Sequence, residues 1–95
     1  MNLNTKFGEL IKEVAVKVDN DGVNALNEKE RDILTFVMTM DMLNITLGET
    51  SSLAEKLRCK SKMNWITKEM VGKFPEYKED IENYEPRQTE SPFAK

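Results

Sequence analysis

Histidine is absent from this chain of 95 residues, and cysteine occurs only once, as Cys59. Histidine is the side chain that most often acts as a general base and binds transition metals, so its absence argues against acid–base catalysis and a zinc site. One cysteine cannot form an intramolecular disulfide, and the N-terminus lacks the basic and apolar pattern of a secretory leader. We therefore expect a cytoplasmic protein that is not an enzyme and that has no catalytic residues, cofactor or metal.

Neither sign of charge dominates, because 14 basic side chains and 17 acidic ones give a net charge of −3. This balance provides no general attraction to nucleic acid, although it is compatible with a local basic face. The chain is long enough for one domain of modest stability, which oligomerisation would increase. Lysine outnumbers arginine 11 to 3 and there are eight asparagines, a bias that we interpret as that of an AT-rich bacterial or phage genome.

Residues that break helices divide the chain into segments with helical periodicity. The first segment predicts an amphipathic helix over about residues 5–18, because Phe7, Ile11 and Val14 share one face and charged side chains occupy the other. The breaks are Asp19 to Gly22, Gly48 to Ser52, Pro75, and Pro86 onward.

Capping residues give the expected ends of the other helices. Asn27 can cap the second helix, with Glu30 at the capping-box position, and we expect Gly48 to end that helix in a left-handed conformation. Ser52, followed by Glu55, can cap the third helix in the same way. A fourth, short helix is expected over residues 76–84, because the preceding proline is tolerated near a first turn.

The apolar residues of the third segment do not hold one helical register. The first set faces one way, and a second set forms a stripe that is turned well away from it. The basic run 58–62 between the two sets is expected to be a kink, a break, or the point at which the helix leaves one surface for another. The first set is Leu53, Ala54 and Leu57, and the second is Cys59, Met63, Ile66, Met70 and Phe74.

These segments predict an all-α fold, a small helical bundle of three main helices plus a short C-terminal helix. We expect one domain over residues 1–84 and a flexible C-terminal tail over residues 85–95, where periodicity is lost. Tyr84 and residues 89–93 could form a short recognition segment, but an idle tail is the preferred interpretation.

Residues 33–48, ILTFVMTMDMLNITLG, are the most apolar stretch of the chain. Helical spacing separates their side chains better than strand alternation does, and Asp41 and Asn44 interrupt the run of about 20 apolar residues that a membrane span needs. The helix has two apolar stripes, so it must be covered on two sides. Asp41 is expected at the edge of the buried face. The first stripe is Ile33, Phe36, Met40, Leu43 and Leu47; the second, expected to be a dimer or core seam, is Leu34, Met38, Met42 and Ile45.

The loop after the first helix partly matches a calcium-binding EF-hand loop. Residues 17–28, KVDNDGVNALNE, carry aspartate, glycine and glutamate at several of the expected positions. Lys17, however, occupies the first position, where a carboxylate should bind the ion. The preferred interpretation is a turn made of residues that tolerate unusual dihedral angles.

Residues 53–74 carry a local basic bias, with six basic side chains and two glutamates. The phrase LAEKL, followed by a polar run, loosely resembles a helix-turn-helix unit, which places its second helix in the major groove of DNA. Arg58, Lys62, Trp65 and Glu69 share one helical face, and an aromatic ring among cations can anchor a protein interface or stack on a base. The alternative is that Trp65 packs back onto the first or second helix.

These features favour a small non-enzymatic protein-interaction module, an inhibitor, adaptor or regulator of a larger protein that could also form a homodimer. Arg58, Lys62, Trp65 and Glu69 are the expected partner-binding residues. The alternative is a DNA-binding transcriptional regulator that uses residues 53–74. A membrane is not expected as a partner.

Overall fold

The computed structural model describes residues 5–86, and this part of the chain is all-α. The predicted bundle of three main helices and a short fourth is confirmed. From residue 87 onward the predicted tail lies outside the described residues, as do residues 89–93. The helices are α1 (Lys6–Asp21), α2 (Glu28–Glu49), α3 (Leu53–Lys73) and α4 (Lys78–Glu82), with single 3₁₀ turns at Val23–Ala25 and Pro75–Tyr77.

Side chains cap the three long helices at their N-termini. Asn27 and Glu30 form the predicted capping box of α2, in which the Asn27 side chain accepts from the Glu30 N–H at 2.8 Å and the Glu30 side chain accepts from the Asn27 N–H at 2.9 Å. Ser52 caps α3 as predicted, because its hydroxyl accepts from the Glu55 N–H at 3.3 Å. Thr5 caps α1. Each cap satisfies an amide that has no partner inside its helix.

The prediction that Gly48 ends α2 in a left-handed conformation is wrong. The helix continues to Glu49 and ends where the N–H of Thr50, in an extended conformation, donates to the carbonyl of Thr46. The glycine with a positive φ angle, 82°, is instead Gly22, which ends α1. α1 consequently extends three residues beyond its predicted end, to Asp21.

α2 lies at the centre of the bundle and is a helix as predicted, not a strand. Phe36 is 2% exposed; its ring makes an edge-to-face contact with Phe7 of α1 at 5.9 Å and a tilted contact with Tyr84 at 5.3 Å. Burying one such side chain contributes about 1.5–3 kcal/mol. No helix within residues 5–86 combines the length and the apolar character needed to span a bilayer.

α3 is continuous through residues 58–62, so the prediction of a break there is wrong. The helix instead changes the surface against which its apolar side chains lie. Leu53 and Leu57 are 72% and 59% exposed, whereas Cys59 and Met70 are buried. The N-terminal part of α3 therefore presents its leucines to solvent.

Asp41 is enclosed by the protein, which corrects the expectation that it lies at the edge of the buried face. Its residue exposure is 1%, and its Oδ1 atom accepts a hydrogen bond of 2.9 Å from the hydroxyl of Tyr84. Tyr84 is itself buried against the core and so does not belong to an exposed recognition segment. A buried carboxylate is costly unless it is hydrogen-bonded, and Tyr84 provides a donor for it.

Lys17 joins α1 to the start of α2 by an ion pair. Its Nζ atom lies 3.0 Å from Oε1 of Glu30, so the residue that occupies the first position of the EF-hand pattern already binds a carboxylate. Among residues 5–86 no three acidic, cysteine or histidine side chains come together as a metal site. The N–H of Asn27, and then Lys17, hold the pKa of Glu30 below its ordinary value of 4.5.

Replacing Tyr84 with phenylalanine should lower the free energy of unfolding by about 1–3 kcal/mol, because the buried Asp41 carboxylate loses a donor. Urea unfolding followed by circular dichroism would measure the loss. Tyr77→Phe is the matched control, since the Tyr77 hydroxyl makes no hydrogen bond with another described residue. Equal losses in the two variants would contradict a specific role for the Tyr84 hydroxyl.

Replacing Glu30 with glutamine should reduce thermal stability in a pH-dependent way. A carboxyl whose pKa is lowered by folding stabilises the folded state above its unfolded-state pKa, and this contribution disappears as the pH falls through the folded-state pKa. The difference in Tm between wild type and Glu30→Gln should therefore have its maximum value above pH 4.5 and decrease as the pH falls below it. Glu13→Gln, which removes the same charge from the exposed face of α1, is the matched control. A loss of Tm for Glu30→Gln that does not change with pH would contradict this prediction.

Candidate functional site

A groove of about 360 Å³ runs between α2 and α3. Its apolar lining includes Phe36 from α2 and Ile66 and Met70 from α3, which belong to or pack against the hydrophobic core. The groove follows from the antiparallel packing of the two helices. One end is held by an ion pair of 3.2 Å between Lys73, in the last turn of α3, and Asp32, near the start of α2.

The two helices line the groove with side chains of different size. α2 contributes Thr35 and Thr39, which are four residues apart and therefore lie on the same face of the helix. α3 contributes Trp65 and Glu69 by the same spacing. Short threonine side chains opposite a large indole leave space for an external side chain to approach the apolar lining.

Trp65 is not part of the core. It is 63% exposed, so the alternative in which it packs back onto α1 or α2 is wrong. Single apolar side chains on a surface are common, but tryptophan is highly buried on average, and large exposed apolar patches mark binding sites. Trp65 therefore supplies an accessible aromatic anchor at the rim of the groove.

All four residues predicted to bind a partner are exposed on α3. Trp65 and Glu69 line the groove, whereas Arg58 and Lys62 continue the same helical face toward the N-terminus of α3. Within residues 5–86 neither Arg58 nor Lys62 forms an ion pair. This end of the face therefore carries two available positive charges next to the indole.

The predicted seam on α2 is divided between the core and the surface. Leu34 is 8% exposed and belongs to the core, and Ile45 is half-buried. Met38 and Met42 are 41% and 65% exposed. The described part of the chain thus covers the stripe fully at Leu34 alone and leaves its two methionines accessible.

Sequence periodicity placed Trp65 and Glu69 on one face but did not identify the α2 wall of the groove. Asp32, Thr35 and Thr39 were missed because the register between two helices depends on their packing and not on the periodicity of either one. The opposite charges of Asp32 and Lys73 were the one sequence feature that indicated how α2 and α3 align, since such charges can pair at the ends of antiparallel helices.

No protein-family model, no curated protein and no solved structure matches this chain. The groove is therefore interpreted from its own residues. Cys59, the single potential thiol nucleophile, is buried outside the groove lining. The helix-turn-helix resemblance of residues 53–74 loses its central feature, because α3 has no turn at residues 58–62.

Replacing Trp65 with alanine should change the free energy of unfolding by no more than about 0.5 kcal/mol, as is usual for exposed positions. Phe36→Ala, which removes a buried side chain of the same groove, should cost about 3–5 kcal/mol. Urea unfolding followed by circular dichroism measures both values, and it does not depend on tryptophan fluorescence. A loss for Trp65→Ala as large as that for Phe36→Ala would assign the indole to the core.

Proposed function

We propose that this chain is a small non-enzymatic interaction protein, an inhibitor, adaptor or regulator, that binds a larger protein through the groove between α2 and α3. The observation that supports this most directly is the exposure of Trp65 beside an apolar groove. Tryptophan and arginine are enriched among the residues that dominate binding energy at protein interfaces. The chain's single cysteine, Cys59, is a free buried thiol, which is compatible with a reducing cytoplasm.

The dimensions of the groove favour one inserted side chain or one helix face of a partner. Its volume of about 360 Å³ lies near the lower end of the range usual for small-molecule pockets, about 300–1,000 Å³. Its two walls are the antiparallel helices α2 and α3, a shape suited to an amphipathic helix that inserts apolar side chains. A core of Phe36, Ile66 and Met70 inside a polar rim also matches the usual anatomy of an interface.

The charges next to the groove indicate the chemistry of the partner segment. Arg58 and Lys62 carry no ion pair within residues 5–86, whereas Lys73 is already paired with Asp32. An acidic segment would therefore gain two charge contacts at the N-terminal end of the face. Such rim contacts mainly increase the association rate and set specificity. We expect a partner segment that combines an apolar anchor with carboxylates.

A DNA-binding regulator is the second candidate, favoured by the same exposed Arg58, Lys62 and Trp65. Binding by a basic α3 without a helix-turn-helix would depend mainly on phosphate contacts. Two observations weigh against it: the net charge of −3 and the presence of Glu69 and Asp32 in the groove. Steep salt dependence of binding to a generic DNA duplex would favour this candidate over a protein partner.

Affinity capture from an extract of the natural host cell, treated with nuclease, tests the proposal. Wild-type chain should retain a protein that the double variant Trp65→Ala plus Lys62→Glu retains at least about tenfold less, because the variant loses the aromatic anchor and reverses one charge. The bound protein would be identified by mass spectrometry and its Kd measured with the purified pair.

A matched control separates a specific face from general surface effects. Val16→Ala plus Lys12→Glu makes the same change of charge and removes an apolar side chain that is 58% exposed, but on α1. This control should bind as wild type does. Equal retention by all three proteins, or retention that nuclease abolishes, would contradict the proposed protein-binding groove.

A further inference from the structure

We propose that a second copy of this chain packs antiparallel against the outward face of α2, about a two-fold axis that passes between Met38 and Met42. This inference uses a surface other than the apolar lining of the groove and does not depend on the proposed function. The surface, called here the methionine face, consists of Arg31, Thr35, Met38, Met42, Ile45 and Glu49.

The methionine face has the spacing of a coiled-coil seam. Its six residues recur at alternating intervals of four and three, so they gather in a narrow wedge of the helix at about 100° per residue. Five of them are exposed, and Ile45 is half-buried. The side chains that fill the core, such as Ile33, Phe36 and Val37, project from the other side of α2.

The sequence of this face is complementary to itself when it is reversed. A two-fold axis places the same surface of both copies in contact, so each residue must suit its counterpart across the axis. With the axis between Met38 and Met42, Met38 of one copy lies opposite Met42 of the other, and Thr35 lies opposite Ile45. Flexible methionine side chains at the centre adapt well to such a contact.

The charges at the two ends select this orientation. Arg31 and Glu49 lie about 27 Å apart along an ideal helix, at about 1.5 Å per residue, and neither forms an ion pair within residues 5–86. In the antiparallel arrangement Arg31 of each copy lies beside Glu49 of the other, which gives two ion pairs. A parallel arrangement would instead place arginine beside arginine and glutamate beside glutamate, a repulsive contact.

Sedimentation equilibrium tests whether the second copy binds. The wild-type protein should reach twice the chain mass of 11.0 kDa at high concentration, and Met42→Lys should remain at 11.0 kDa. Met42 is 65% exposed in the single chain, so this substitution should leave the helical circular dichroism spectrum unchanged. Val16→Lys, at a position 58% exposed on α1, is the matched control and should dimerise as wild type does.

Charge reversal tests the orientation. Arg31→Glu alone and Glu49→Arg alone should each weaken self-association about tenfold, because two ion pairs become two repulsive contacts. An equimolar mixture of the two variants should recover the wild-type Kd, since both ends of the face are then acidic in one chain and basic in the other. The double variant Arg31→Glu plus Glu49→Arg should recover it as well.

Three results would overturn the inference. These are a wild-type mass of 11.0 kDa at all concentrations, dimerisation by Met42→Lys equal to that of wild type, and a failure of the two charge variants to complement each other. None of these results would contradict the proposed function of the groove, because capture of a partner through Trp65 is measured separately. Loss of partner capture with an intact dimer would conversely contradict only the proposed function.

Discussion

The packing around Phe36 connects the core of this protein to its candidate site. The ring is 2% exposed, contacts Phe7 of α1 and Tyr84 beyond α4, and also lines the groove between α2 and α3. The groove therefore shares part of its apolar lining with the core, where close-packed side chains have few alternative positions. On the proposed function, a lining that is already packed would reduce the entropy lost when a partner binds.

The ends of the helices were predictable where a single side chain decides them. Asn27, Glu30 and Ser52 bond to amides only three residues away, so their contribution depends on local sequence alone. Gly48 misled the prediction because glycine permits a left-handed conformation without requiring one. Helical hydrogen bonding continued through it to Glu49, whereas Gly22 adopts the positive φ angle that ends α1.

The features that the sequence did not reveal depend on residues far apart in the chain. Asp41 and Tyr84 meet only because the chain beyond α4 returns to α2, so periodicity could place each near an apolar face but could not pair them. The candidate site divides in the same way. Helical spacing predicted its α3 side, with Trp65 and Glu69. Its α2 side could be identified only from the alignment of α2 with α3, which the Asp32–Lys73 ion pair shows.

α2 carries more apolar surface than residues 5–86 cover. Among the described residues, α1, α3 and Tyr84 pack on the side of Phe36 and Val37, and Met38 and Met42 stay exposed. A small domain has few elements with which to cover a helix that is apolar around most of its circumference. Thr35 lies where the groove meets the methionine face, so a second copy and a partner would occupy adjacent surfaces of one helix. Because both surfaces belong to α2, the proposed dimer and the proposed partner complex would meet at Thr35.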